Sequence, residues 1–167
     1  MKKLLQFLFF LVTVLISTNL FSQNVMLNVL TQNSGIVKKN EIIFFEVTIN
    51  NTNGFKSIPP YKLRPQISFP LSLVEIPETG HVLPKGWTII SNTKGVVVLS
   101  NGSDLIPETE GRTILIAMKG KAVGGPSTIM ANLSFSTGIA PGFAVGSAPA
   151  GDNPADNVST STIRVEK

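Results

Sequence analysis

The chain has 167 residues, with 14 Lys+Arg, 10 Asp+Glu, one His and no Cys. At 43% hydrophobic and 14% charged residues, it is apolar enough for one packed core and too poor in charge for a charge-expanded disordered chain. The absence of Cys excludes disulfide frameworks, thiolate metal sites and thiol nucleophiles, and a single His excludes a multi-histidine metal centre within one chain.

The first segment reads as an address. Lys2 and Lys3 precede an apolar run from Leu4 to Ile16, broken only by Gln6 and Thr13, and Ser17 to Ser22 form a more polar exit. A basic start, an apolar middle and a small residue at the exit are the marks of a secretory signal peptide. The expected organisation is a signal peptide over 1–22, cut after Ser22, and one domain over 23–167, secreted or held at the cell surface. The alternative is an uncleaved anchor, because Leu4 to Phe21 is at the short end of the about 17–25 residues that span a bilayer. No other membrane contact is expected. Without Lys2 and Lys3 the balance is 12 Lys+Arg against 10 Asp+Glu. Those basic residues are spread along the chain without an aromatic-lined stripe, so no nucleic-acid partner is expected.

From there the chain reads as strands. Asn24 to Thr31 places Val25, Leu27 and Val29 on one face. Gln32 to Asn40 is a turn region. Glu41 to Asn50 alternates most clearly, with Ile43, Phe45, Val47 and Ile49 against Phe44, Glu46 and Thr48. Asn53-Gly54 then signals a turn. Leu63, Pro65, Ile67 and Phe69 alternate with polar residues, and Pro65, having no N–H, puts this strand at an edge or interrupts it. Short strands are expected over Leu71 to Ile76, Trp87 to Ile90 and Gly95 to Ser100. Arg112 to Ala122 is long, with Ile114, Ile116 and Met118 on one face; Gly124-Gly125-Pro126 breaks it. Thr128 to Thr137 returns with Ile129, Ala131, Leu133 and Phe135, and Val158 to Val165 closes the chain. Outside the first segment nothing shows a sustained helical period. Eight or nine short, turn-punctuated strands predict an all-β, antiparallel two-sheet sandwich, with a barrel as the alternative. Phe45, Val47, Ile49, Ile114, Ile116, Leu133 and Phe135 are the expected inter-sheet core. Gly138 to Asn157, rich in Gly, Ala and Pro, is a long loop that is functional, mobile, or a hairpin clamped by Phe143 and Val145.

Four turn marks occur in order: Asn50-Asn51-Thr52, then Leu83-Pro84-Lys85-Gly86-Trp87, then Gly111 before a strand, then Asp152-Asn153-Pro154-Ala155-Asp156-Asn157 before the last strand. Over Gly35 to Val165 this order resembles the bacterial conserved-repeat domain called domain of unknown function 11. The resemblance implies an immunoglobulin-like sandwich acting as a surface module, and brings no catalytic residues. The chain departs from the pattern at the Pro-rich, basic stretch Ile58 to Gln66, and carries one copy where the family often forms arrays.

Few residues offer chemistry. His81 lies near Glu75 and Glu78, but on a Pro/Gly loop with too few ligands for zinc. Glu108 and Glu110, two apart on an extended segment, would share a face, whereas glycosidic carboxylates face each other across a cleft. Asp152, Asn153, Asp156 and Asn157, with Asp104 if the fold brings it near, are weak calcium candidates, since that ion takes about six to eight oxygens. The same side chains stabilise turns by bonding their own backbone, so no bound metal and no cofactor is expected. Trp87 is either a sugar platform or, following a turn and preceding Ile89 and Ile90, part of the core. The single His has no Gly-x-Ser-x-Gly partner, so catalysis is not expected. The expected function is a non-catalytic secreted or cell-surface structural or adhesion module. Its expected partner is a cell-envelope or extracellular protein or glycan, met through a face or through the Gly138 to Asn157 loop. One alternative is a fibre or pilus-like assembly subunit donating its first strand to a neighbour's sheet. A carbohydrate-binding domain or hydrolase stands behind both.

Overall fold

A computed structural model describes residues 23–52, 56–142 and 144–167. The expected signal peptide, the Asn53-Gly54 turn and Phe143 lie outside the described residues. Ten strands form: β1 (Val25–Thr31), β2 (Ile36–Lys38), β3 (Ile42–Asn51), β4 (Leu63–Ser68), β5 (Val74–Glu75), β6 (Thr88–Thr93), β7 (Val96–Ser100), β8 (Gly111–Gly120), β9 (Gly124–Phe135) and β10 (Val158–Glu166). They build a four-stranded sheet in the order β1-β3-β8-β5 and a six-stranded sheet in the order β2-β10-β9-β4-β7-β6. The architecture is the expected sandwich, not the alternative barrel. Among the described residues no helix is long and apolar enough to cross a membrane.

The core follows from the period-two patterns. On the four-stranded sheet, Val29–Val47–Ile114 and Thr31–Phe45–Ile116 lie side by side across three strands. Phe45, Val47, Ile49, Ile114, Ile116 and Met118 are fully buried. They face Leu63, Ile67, Val97, Leu99, Ile129, Ala131, Leu133, Phe135, Ile163 and Val165 from the other sheet, all buried. Apolar burial on both inner faces is the main stabilising term for such a sandwich. Ile58 and Ile106 bridge each other at one end and are also fully buried.

Four expectations need correction. The 32–40 region is not only a turn: after a 3-10 turn at Gln32–Gly35, β2 pairs with β10, and it does so in parallel, so the sheets are not wholly antiparallel. Three residues whose partner lies more than a hundred positions away leave no periodic trace. The strand containing Pro65 is not an edge: β4 lies between β9 and β7. Pro65 is tolerated because β4 pairs with β7 only over Gln66 to Ser68, while the rung at Leu63 is completed by Asn101, whose Oδ1 accepts the Leu63 N–H at 2.9 Å. The strand expected over Leu71 to Ile76 shrinks to Val74–Glu75, because the chain turns over Pro70 to Val74 before it reaches β8. Gly124-Gly125-Pro126 opens β9 instead of merely ending β8.

The first strand is already satisfied at home. β1 pairs antiparallel with β3 from Val25↔Asn51 to Thr31↔Phe45, seven rungs in register. Strand donation needs that strand free, so the fibre-subunit alternative loses the feature that suggested it.

Candidate functional site

The residues singled out by sequence do not converge. Asp104 stands apart from the acidic turn and is shared by two donors. It accepts the Trp87 indole N–H (2.8 Å) and the Arg112 Nε–H (2.9 Å) on Oδ2, and Arg112 Nη2 (3.2 Å) on Oδ1. Arg112 stands on the inner face in the row of Leu27 and Ile49, where β8 begins, so the carboxylate neutralises a guanidinium at the end of the core. The hydrogen bonds that Arg112 donates to Asp104 raise the Arg112 pKa above its ordinary value against desolvation, with Glu110, 3.0 Å from Nη1, adding to the rise. Trp87 is 5% exposed; it is a core residue with an anchored indole, not a flat platform. Glu110 is thus tied to Arg112. A turn containing Thr109 (φ 62°) separates it from Glu108, so the two are not neighbours on one extended strand.

The acidic turn acts as a clasp. Asp152 Oδ1 accepts the Val25 N–H (3.0 Å) and Oδ2 accepts from Asn157 Nδ2 (2.7 Å). Asp156 Oδ2 accepts from Asn24 Nδ2 (2.8 Å), and Asn24 Oδ1 accepts the Asn153 N–H (2.8 Å). Asn153 Oδ1 also takes the Ala155 N–H, opening a short 3-10 turn, Pro154–Asp156. The turn chemistry read from sequence is present, but three of these bonds run to the other end of the chain. Asn24 carries no pattern that points to this role. Among the described residues no three His, Asp or Glu side chains gather closely enough to hold a metal ion.

The long loop folds back on itself: Ser136 bridges Val145, Thr137 N–H donates to Ala144 O, and Ala150 O accepts the Gln23 N–H. Val145 is exposed, so it does not clamp the loop from inside. Two surface depressions of about 410 and 420 Å³ are lined by Val123, Gly125, Arg164 and Glu166 in one case and by Tyr61, Ile89, Ile90 and Pro141 in the other. Neither sets facing carboxylates beside an aromatic platform.

What the sequence did not single out is the outer face of the four-stranded sheet. The residues that alternate with the core of β1, β3 and β8 point outward there. In one row, Leu30 of β1 is level with Glu46 of β3 and Leu115 of β8, and Val82 bridges Leu115 beyond it. Phe44 is level with Ala117, and Ile42 with Lys119. Leu30, Ile42 and Val82 are 60%, 58% and 54% exposed; Phe44 and Leu115 are half-buried. Among these apolar side chains the one central charge is Glu46, which accepts a long hydrogen bond from Thr48 Oγ1 (3.4 Å) and pairs with no cation among the described residues. Lys119 and Glu75 form an ion pair (3.2 Å) at the rim. A contiguous apolar face with a polar border is unusual on a protein that functions alone.

Comparison with solved structures finds the same architecture elsewhere. The cohesin module of a family 33 glycoside hydrolase from Clostridium perfringens ATCC13124 superposes with a TM-score of 0.55 at 10% identity, over 87% of this chain and 97% of that one. The two share a two-sheet β-sandwich. The seventh ScaB type I cohesin of Pseudobacteroides cellulosolvens gives 0.51 at 12% identity, covering 85% and 94%. A chain of the complex between a CaDoc0917 variant and CaCohA2 gives 0.50 at 11%, covering 84% and 99%. No protein-family model matches the chain, including the conserved-repeat family that its turn marks resemble, and no curated protein matches in sequence. At such identities the likeness concerns the fold alone, and the immunoglobulin-like sandwich is the part of the resemblance that holds.

Proposed function

We propose that this cohesin-like domain is a non-catalytic, exported module that binds another protein through the outer face of its four-stranded sheet. The observation that carries this is the apolar group Leu30, Ile42, Phe44, Leu115 and Val82 around Glu46, which has no cation beside it among the described residues. Burying such a face against a partner removes apolar area from water at about 25 cal/mol per Å², and a donor from the partner over Glu46 fixes its register. The fold supports the same role, since one matched chain of this architecture is part of a two-protein complex. Adhesion or scaffolding at the cell surface is the setting. Export rests on the first 22 residues: Gln23 is held by its N–H to Ala150 O (3.0 Å) and by Nε2 to Lys56 O (3.1 Å), and a cut after Ser22 leaves both bonds possible.

A photo-reactive residue placed at Ile42 in the native organism tests the proposal, with the same probe at Met130 on the outside of the other sheet as control. Cross-links to one partner from position 42 and not from 130 are expected, and they should vanish when Leu30 and Val82 are changed to Lys. Equal cross-linking from both positions would refute docking through this face. N-terminal sequencing of the exported protein should begin at Gln23; an intact Met1 would mean an anchor.

A further inference from the structure

His81 lies on the segment, residues 76–83, that runs along the edge of β8. Its Nδ1 accepts the Ala117 backbone N–H at 3.1 Å, and its Nε2 lies 2.9 Å from the Pro77 carbonyl oxygen. A backbone amide can only donate, so Nδ1 carries no proton; a carbonyl can only accept, so Nε2 carries one. A single neutral tautomer satisfies both contacts. On one side of the ring Val82 exchanges both backbone hydrogen bonds with Leu115, each 2.9 Å. On the other side β5 pairs with Gly120 and Lys119. The imidazole therefore stands in for a strand carbonyl at the one rung between them where the segment bows outward. The bow covers β8: a Cβ on Gly80 would sit 3.7 Å from the Ala117 methyl. Ala117 is fully buried although its side chain points to the outer face with those of Leu115 and Lys119.

We propose that protonation of His81 unlocks the 76–83 segment from β8, making it a strap that loosens in acid. The imidazolium has N–H on both nitrogens, so Nδ1 meets the Ala117 amide donor against donor. The charged groups on the elements around the ring are Glu75 on β5, paired with Lys119 on β8, Glu78 in the segment itself, and Glu46 on β3. None of them takes over the Ala117 N–H among the described residues. The amide then finds an acceptor only in water, which reaches it when the bow lifts. The switch stands on this geometry alone. Its effect on binding rests on docking through the outer face, because a lifted strap withdraws Val82 from the apolar row and uncovers Ala117.

Hydrogen exchange and ¹H–¹⁵N spectra of the exported domain, without any partner, test the switch. The protection factor of Ala117 should fall about tenfold or more between about pH 8 and about pH 5. His81→Asn keeps an acceptor oxygen where Nδ1 stood but cannot titrate, so Ala117 should stay protected at both pH values. His81→Ala should leave it unprotected at both. The proposal is overturned if Ala117 keeps its protection from about pH 8 to about pH 5, or if His81→Asn shows the same pH dependence as the native protein. Loss of partner cross-linking plays no part in this readout, so failure of the docking face leaves the switch standing and the reverse.

Discussion

Phe44 and Phe45 are adjacent in sequence and point to opposite sides of the same strand, which makes them a direct test of register. Phe45 is fully buried between Thr31 and Ile116; Phe44 is half-buried beside Ala117. A phenylalanine that buries about 200 Å² gains about 5 kcal/mol at about 25 cal/mol per Å². Compactness of the unfolded chain removes about 10–40% of that. The methyl kept by alanine retains a further part, and the cavity left behind adds a penalty. Phe45→Ala should therefore cost about 3–5 kcal/mol, a large share of the stability of about 5–15 kcal/mol typical of a domain. Phe44→Ala faces solvent on one side, where neighbours can close over the gap, and should cost less than half as much. Urea unfolding followed by Trp87 fluorescence measures both, and the melting point of Phe45→Ala should fall by about 10 °C. Equal losses, or a larger loss at Phe44, would mean that β3 is out of register by one residue and that the outer face has been assigned to the wrong side chains.

Three further outcomes are expected. Asp104→Ala leaves both the Trp87 indole and Arg112 without their acceptor, so it should cost about 2–3 kcal/mol and shift the fluorescence of Trp87; Asp104→Asn should recover part of the indole bond. Asp152→Ala removes the acceptor of the Val25 N–H and of Asn157, so it should cost about 1–3 kcal/mol and raise amide exchange at Val25 before the rest of β1. Calcium should not shift the melting temperature relative to excess chelator. Both oxygens of Asp152 and one of Asp156 already accept hydrogen bonds, leaving too few for an ion that takes about six to eight. A calcium-dependent rise that disappears in Asp152→Ala/Asp156→Ala would reassign the clasp as a metal site.

The long strands are legible because alternation is a local property. Ile43 to Ile49 and Ile114 to Met118 announce their buried face in half a dozen residues, and the structure buries those residues. The short strands are not, because β2 and β5 owe their existence to partners that sequence order does not reveal: Arg164 to Glu166 for one, Lys119 and Gly120 for the other. The missing N–H of Pro65 points to an edge or an interruption, and the proline enters an interior strand because pairing with β7 begins only at Gln66 while Asn101 takes the Leu63 N–H. The turn marks have physical causes beyond turn propensity. Gly111 leaves the space in which Asn50 Oδ1 lies, so that a methyl there would push the amide aside, and two marks sixty positions apart report one contact. The candidate face escapes a sequence reading because each apolar side chain on it is ordinary alone; adjacency across β1, β3 and β8 makes it a surface. His81 reads in sequence as a loop residue with too few neighbours to be a zinc ligand, and a side chain completing a strand ladder has no signature there.

The parallel pairing of β2 with β10 bears on when this chain becomes a protein. β10 is the last strand, and it joins β9 to β2, while Asp152 and Asp156, just upstream of it, hold the beginning of β1. The six-stranded sheet cannot close, and the start of β1 cannot be clasped, until residues beyond 150 are present. Closure across so long a separation is slow, because the entropy of ordering the intervening chain is lost before the contacts form. A chain threaded amino end first through a membrane channel would consequently lack its closing strand until nearly its whole length had crossed. On such a route the topology favours completion of the sandwich on the far side.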